Sequence, residues 1–346
     1  MKRFSIGSRS SRLSLAAAGA LLLTACNSGG GSTENGGGGD SYRVAFLASS
    51  SQNGYNKAVW DGVQQGAEDL GNAEVEIFDG EFDANTQFNQ MQDIASSGRY
   101  DGIVIVPNDN VGIAAALPAA ASADIPVATV LFPIGPDLQK LEPQVDGVVS
   151  TVASDPVAGA AAQAERVVEY CQDKDPCKVA VLIGQLRFPF DKLRYDTYVK
   201  ELKAHDNIDV VATGEGNYDR DQSLKTTQDI LQAHRDIDVL LSNADQHVFG
   251  AQIAIENAGL KIEDLFVMGG GGSTQAIEAV RSGKWDADYA NFPVSMGEAA
   301  LNQVVSSLEG GQVEPVVDAD TLGPVPPIVD EKVLDENPDY QGEWTD

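Results

Sequence analysis

From residue 42 onward the chain alternates short apolar runs with longer amphipathic stretches, and this alternation restricts its fold more than any other feature. Arg43-Val44-Ala45-Phe46-Leu47-Ala48 is an apolar run between polar residues, which reads as a strand buried on both faces. Residues 55–70 place Ala58, Val59, Val63 and Ala67 at helical spacing, and Gly71 ends the pattern. A strand over 75–78, a helix over 84–97 and a strand Ile103-Val104-Ile105-Val106 ended by Pro107 follow. An Ala-rich helix to about Ser122 and a strand over 126–130 complete the first series. The pattern then restarts. Strands are expected at 148–152, 179–183, 210–213, 239–241 and 266–268, with helices at about 156–170, 191–204, 221–233 and 246–258. Asp155 is well placed as the N-cap of the first of these helices, with Pro156 in its first turn. The segment 289–293 and a helix over 294–308 come late, and the tail after Gly323 is Pro-rich and acidic. Strands alternating with helices at such lengths imply βαβ units, here two doubly wound, Rossmann-like parallel-sheet lobes. In open parallel sheets ligands bind beyond the carboxyl ends of the strands. The loops to inspect are therefore 49–56, 107–110, 131–136, 184–192, 214–220, 242–247, 269–273 and 290–293.

The start of the chain is different. Lys2, Arg3, Arg9 and Arg12 precede an apolar stretch over 13–23, with no acid among them, and a Gly/Ser/Asn tract follows through Gly39. These are the parts of a secretory leader, too short in its apolar part to span a bilayer as a mature helix. Leu23-Thr24-Ala25-Cys26 resembles the bacterial lipobox. That resemblance implies a signal peptide over 1–25, a lipidated Cys26 as the new N-terminus, a flexible linker over 26–41 and a lipid anchor at the cell membrane. An exported chain sits where disulfides persist. Cys171 and Cys177, six residues apart across a Pro-containing turn, suit a disulfide bridging a helix-to-strand loop. No His lies near them and two thiolates are too few to hold zinc, so no metal site is expected there.

Composition and motifs exclude several functions. The chain carries 52 acids against 23 Lys and Arg, a net charge of −29, with no basic stripe. Such a surface repels nucleic acid. Three histidines without useful spacing, no Gly-x-Ser-x-Gly and no His-Glu-x-x-His argue against an enzyme. The Gly269-Gly270-Gly271-Gly272 run lacks the Lys-Ser/Thr of a phosphate-binding loop. Asp219-x-Asp221-x-Ser223 lacks the later Gly and acid of a calcium loop. No cofactor is expected.

Four stretches, in this order and spacing, carry a resemblance to a known family: Gln52-Asn53-Gly54-Tyr55-Asn56 leading into Asp61-Gly62-Val63-Gln64-Gln65-Gly66-Ala67; Asp101-Gly102-Ile103-Val104-Ile105-Val106-Pro107; Ala153-Ser154-Asp155; and Leu240-Leu241-Ser242-Asn243-Ala244-Asp245 entering Phe249-Gly250-Ala251. Over about residues 42–329 the chain resembles the type I periplasmic sugar-binding proteins, the ribose-binding group of receptors for ABC importers. The resemblance implies lobes over 42–154 with 292–322 and over 155–291 with 323–346. It implies a three-crossing hinge near Ser154-Asp155, Asn291-Phe292 and Gly323-Pro324. It also implies a monomer that closes on a sugar or polyol and is then read by a membrane permease. A sensor that docks on another membrane partner fits the same residues.

By matching segments, the resemblance places ligand contacts at Asn53, Tyr55 and Asn56, at Tyr218, and at Asn291 near the hinge. Asn53-Gly54 also suits a plain turn, and Tyr218 a solvated one. Lys192 lies where the family often has a ligand-binding Arg, or faces solvent. Asp245 and Gln246 follow a strand end, where Asp245 otherwise caps the next helix. Phe132 and Phe188 read as stacking rings or as core. Two departures stand out. The Asp-Arg pair expected after the strand ending Val130-Leu131-Phe132 is missing, and an aromatic and an Asp after Met268 are replaced by Gly270 and Gly271. Ribose itself is therefore not the expected ligand. The glycines, Gly271 among them, are expected either to enlarge the pocket, to offer backbone N–H groups that would hold an anion, or to form a mobile turn.

Overall fold

The computed structural model describes residues 41–346. The expected leader, the Cys26 lipidation site and the linker through residue 40 lie outside the described residues. The first series builds β1 (Tyr42–Ala48), α1 (Gly54–Leu70), β2 (Ala73–Asp79), α2 (Ala84–Ser97), β3 (Gly102–Ile105), α3 (Leu117–Ser122), β4 (Val127–Val130) and β5 (Val148–Ala153). The second builds α4 (Pro156–Cys171), β6 (Cys177–Ile183), α5 (Pro189–Leu202), β7 (Ile208–Glu215), α6 (Arg220–Ala233), β8 (Val239–Ser242), α7 (Asp245–Asn257), β9 (Phe266–Gly271), α8 (Thr274–Arg281) and β10 (Ala287–Ala290). Then come α9 (Pro293–Leu308), β11 (Val316–Asp318), β12 (Ile328–Asp330) and α10 (Glu331–Glu336).

The strands form two six-stranded sheets, in the orders β11-β5-β4-β3-β1-β2 and β12-β10-β9-β8-β6-β7. Neighbours run parallel, except that β12 is antiparallel to β10. Every residue of β3, β4, β8, β9 and β10 is buried, as helices on both faces of a parallel sheet require. This is why most of those strands read as apolar-rich runs rather than alternating ones, with the buried Asp288 of β10 as the charged exception.

The chain passes between the sheets three times: from β5 to α4, from β10 to α9, and from β11 to β12. Met296, Ala300, Leu301, Val304 and Val305 of α9 return to the core of the first sheet, beside Val44, Phe46, Val104 and Val130. Asp320 ties the crossings together. Its carboxylate accepts from Ser154 Oγ at 2.6 Å and from the Tyr289 hydroxyl at 2.9 Å. Asp155 Oδ1 caps α4 by accepting from the N–H groups of Val157 and Ala158 at 2.8 and 3.1 Å. At the far end of α4, Cys171 and Cys177 are joined by a disulfide with Cα atoms 5.6 Å apart.

Three expectations change. The Ala-rich helix is shorter: a 3₁₀ turn over Ile113–Ala115 precedes α3, because Pro118 has no N–H to continue a helix from upstream and restricts the residue before it. β9 runs through Gly271 instead of ending at Met268, held there by buried carboxylates. The acidic tail contains β12 and α10, and β12 completes the second sheet by pairing with β10.

Candidate functional site

The carboxyl ends of both sheets open onto one cleft of about 730 Å³, part of it open to solvent. This is within the usual size of small-molecule sites. The first sheet's side supplies Asn53 at the N-cap of α1, Tyr55 and Asn56 from the first turn of α1, Phe82 after β2, Asn108 after β3, and Leu131 and Phe132 after β4. The second supplies Phe188, Phe190, Asp191 and Arg194 around the start of α5, Tyr218 after β7, Asn243 and Gln246 after β8, and Gly270 and Gly271 at the end of β9. Asn291, at a crossing, and Trp344 complete the wall.

A polar cluster on α5 anchors the second lobe's side. Arg194 Nη2 donates to Asp191 Oδ1 at 2.6 Å and to the Tyr218 hydroxyl at 2.9 Å. The Tyr218 hydroxyl in turn donates to Asp191 Oδ1 at 2.5 Å and accepts from Asn243 Nδ2 at 3.3 Å. Asp191 Oδ2 takes the N–H of Gln185 at 2.6 Å. Burial works against the Arg194 charge, but Tyr218 and Asp191 beside it outweigh burial and raise its pKa. Burial first, and Asp191 second, push the Tyr218 phenol up, so it stays neutral and able to donate. Gly184 makes this arrangement possible: a Cβ there would stand 2.3 Å from Asp191 Oδ2 and 2.5 Å from the Tyr218 ring.

Tyr218 itself is held in an unusual backbone state. Asn217 and Tyr218 have φ of 53° and 56°, a left-handed conformation uncommon outside glycine. The buried imidazole of His247 stabilises it by accepting the Tyr218 N–H on Nε2 at 2.9 Å, while Nδ1 meets Ser242 Oγ at 3.0 Å. Burial, and then the Arg194 charge, lower the His247 pKa to about 3, so the ring is neutral and able to accept.

Aromatic rings face each other across the cleft. Phe132 stacks on Phe190 with centroids 4.6 Å apart, and Phe82 lies 6.0 Å from Tyr218. Both pairs join one lobe to the other. The Arg194 guanidinium sits 4.2 Å over the Phe190 ring. Three polar atoms on residues of the cleft wall are buried without a hydrogen-bond partner: Asn108 Oδ1, Asn243 Oδ1 and Arg194 Nε.

The residues singled out from sequence are placed as follows. Asn53, Tyr55, Asn56, Phe132, Phe188, Tyr218, Gln246, Gly271 and Asn291 all line the cleft. Asn53 also caps α1, its Oδ1 accepting from Asn56 N at 3.2 Å, so the turn and the cleft wall are the same residues. Lys192 does not line it: its ammonium pairs with Asp196 on the exposed side of α5. The arginine that reaches the cleft is Arg194, two residues later. Asp245 is fully buried beneath the wall and is not part of it. Its oxygens accept from Gly270 N at 3.2 Å and Ser273 N at 2.8 Å, and Asp288 Oδ1 accepts from Gly272 N at 2.8 Å. These N–H groups are thereby consumed, so the tetraglycine offers no anion cradle there. Burial raises the pKa of both carboxyls, and for Asp288 the Asp245 charge raises it further.

The strand-end rule located most of this site. Phe82, Arg194 and Trp344 lie outside the loops it marked. Arg194 had one sequence signal, its i,i+3 spacing from Asp191 on a helix. Phe82 and Trp344 had none beyond being large apolar side chains in polar surroundings.

Residues 44–312 match the family model described as a periplasmic binding protein domain. The ribose import binding protein of Escherichia coli is 27% identical over 271 residues, spanning 78% of this chain and 86% of the relative. The D-allose-binding periplasmic protein of the same organism is 25% identical, spanning 74% and 81%. Among solved structures, the Caulobacter myo-inositol binding protein superposes with a TM-score of 0.74 at 23% identity, covering 85% of this chain and 95% of that one. With two doubly wound sheets, three crossings and a cleft at the strand ends, the chain belongs to the periplasmic binding protein family.

Proposed function

We propose that this chain is the extracytoplasmic receptor of an ABC importer, binding a small neutral sugar or polyol between its lobes and delivering it without chemical change. The polar and aromatic side chains gathered on the cleft wall carry this reading. Arg194 brings donors, Asn108 and Asn243 bring both donors and acceptors, and Phe82, Phe132, Phe188 and Phe190 stand on the same wall. A sugar hydroxyl both gives and accepts a hydrogen bond, and the C–H faces of the ring suit aromatic walls. The relatives' names, a ribose receptor and an allose receptor, support the same substrate class. Phe132–Phe190 and Phe82–Tyr218 join the lobes over the cleft, so a ligand that fills it favours the closed form that a permease reads. The ligand shifts that equilibrium only by its differential affinity for the two forms.

Ribose is not the preferred ligand in this reading, because Gly270 and Gly271 replace an aromatic and an acid. Calorimetric titration of the chain with D-ribose, D-allose and myo-inositol, then with acidic solutes, tests it. One-to-one binding of a neutral sugar or polyol is expected. Binding of acidic solutes alone overturns the reading, and tight ribose binding overturns the exclusion of ribose. The lobes 42–154 with 292–322 and 155–291 with 323–346 are proposed to move as units, in a monomer held to the membrane by lipid on Cys26. Metabolic labelling with a fatty-acid analogue tests the anchor: label is expected on the wild type and absent from C26A, and equal labelling of both overturns it.

A further inference from the structure

The last five residues of the chain, 342–346, make a contact set that the sugar reading does not require. Glu343 reaches the first lobe's side: its Oε2 accepts from the N–H groups of Val294 and Ser295, at 2.9 and 3.1 Å, at the start of α9. Its Oε1 accepts from Ser295 Oγ at 2.5 Å. One residue later, Trp344 holds the second lobe. Its indole N–H donates to Gly271 O at 2.7 Å, and its carbonyl accepts from Thr274 N at 2.7 Å. Asp346 pairs with Arg220 of α6. The Trp344 ring is buried at 4% exposure, meets Tyr55 of the first lobe edge-on at 5.7 Å, and lines the cleft. The glycines at the end of β9 provide its seat. Gly271 has φ +149°, and a Cβ there would stand 2.9 Å from Trp344 Cζ2.

We infer that Trp344 is a specificity-determining wall of the ligand site, carried on a strap that ties both lobes together. This rests on the sugar-receptor reading for its ligand class and goes beyond it in naming the residue and the restraint. The ring absent from positions 270 and 271 is replaced in space by an indole from the C-terminal segment, and the gap left by two glycines is filled rather than empty. A planar indole fixed by one hydrogen bond presents a rigid apolar face suited to the C–H face of a sugar or cyclitol ring. Glu343 is a positioning residue: it fixes the strap to α9, next to the crossing at Asn291-Phe292.

Titration of wild type, W344A, W344F and E343Q with D-allose, D-ribose and myo-inositol tests the wall. For the probe that wild type binds most tightly, W344A is expected to lose about tenfold in affinity and W344F only a few-fold. E343Q, which keeps the ring, is expected to fall between wild type and W344A. Ligand is also expected to shift the tryptophan emission of wild type and not of W344F. Equal affinities in wild type and W344A overturn the wall. Should W344A fail to fold, W344F and E343Q carry the same test. The strap is read without ligand by small-angle scattering, where E343Q and W344F are expected to be wider than wild type; superimposable curves overturn it. A wild type that binds none of the three probes refutes the sugar reading, and the scattering comparison then still decides the strap.

Discussion

At the scale of single residues, Arg194 does more than any other side chain described. It bonds Asp191 and Tyr218, lies over Phe190 and keeps an unpartnered Nε on a cleft residue. Lysine keeps the charge but lacks the planar fork, so R194K is expected to fold and to lose about 10- to 100-fold in ligand affinity by calorimetry. R194A leaves Asp191 as a buried, unpaired carboxylate and is expected to lower the stability of the fold itself by about 3 kcal/mol in denaturant unfolding. Whether Arg194 or Lys192 reaches the cleft was not legible from sequence. The two lie about 200° apart around one helix, and the rotation of α5 is set by which of its apolar residues pack inward. Tyr198 and Leu202 pack against the second sheet, which turns Arg194 toward the cleft and Lys192 to solvent.

His247 gives this same cluster a pH dependence. Its pKa is lowered from 6.5 to about 3 in the fold, so the stability it confers is complete above about 6.5 and is lost as pH falls toward 3. By pH 3 the loss is on the order of 4 kcal/mol from this residue alone. Because the ring stays neutral in the fold down to about pH 3, Tyr218 N keeps its acceptor, so stability is expected to fall in mild acid while the affinity of the folded chain for ligand holds. Unfolding curves and titrations at pH 7 and pH 4.5 check this; stability independent of pH over that window contradicts it.

At the scale of elements, the short loop between α4 and β6 is cross-linked. Replacing Cys171 and Cys177 by serine is expected to lower stability by about 2 kcal/mol, as measured by denaturant unfolding, without changing ligand affinity. The loop lies at the amino end of β6, away from the strand ends that form the cleft. Most elements were legible because helix and strand periodicities differ over lengths that a parallel fold repeats. The exceptions have specific causes. Pro118 shortened α3, and the short strand β12 (Ile328–Asp330) earns its place only by pairing with β10. Asp245 and Gln246 begin the same helix, yet one supports β9 from below and the other faces the cleft. Adjacent residues on a helix diverge by about 100°, and spacing from a strand end does not say which of them faces in.

At the scale of the molecule, function resides in the relation between two sheets. Ligand that bridges them is expected to raise the melting temperature with the logarithm of one plus its concentration over Kd and to narrow the molecule in small-angle scattering. Saturating ligand that raises the melting temperature with no change in scattering would mean the lobes are already closed. The alternation of apolar runs was enough to determine two parallel sheets, the burial of their strands on both faces and the loops that meet at the cleft, because those follow from periodicity and chain connectivity. Tertiary structure alone decided that Arg194 and not Lys192 enters the site, that buried carboxylates occupy the tetraglycine N–H groups, and that Trp344 fills the space beside them. Each of these depends on residues far apart in the chain meeting in one place, and no local pattern encodes such a meeting.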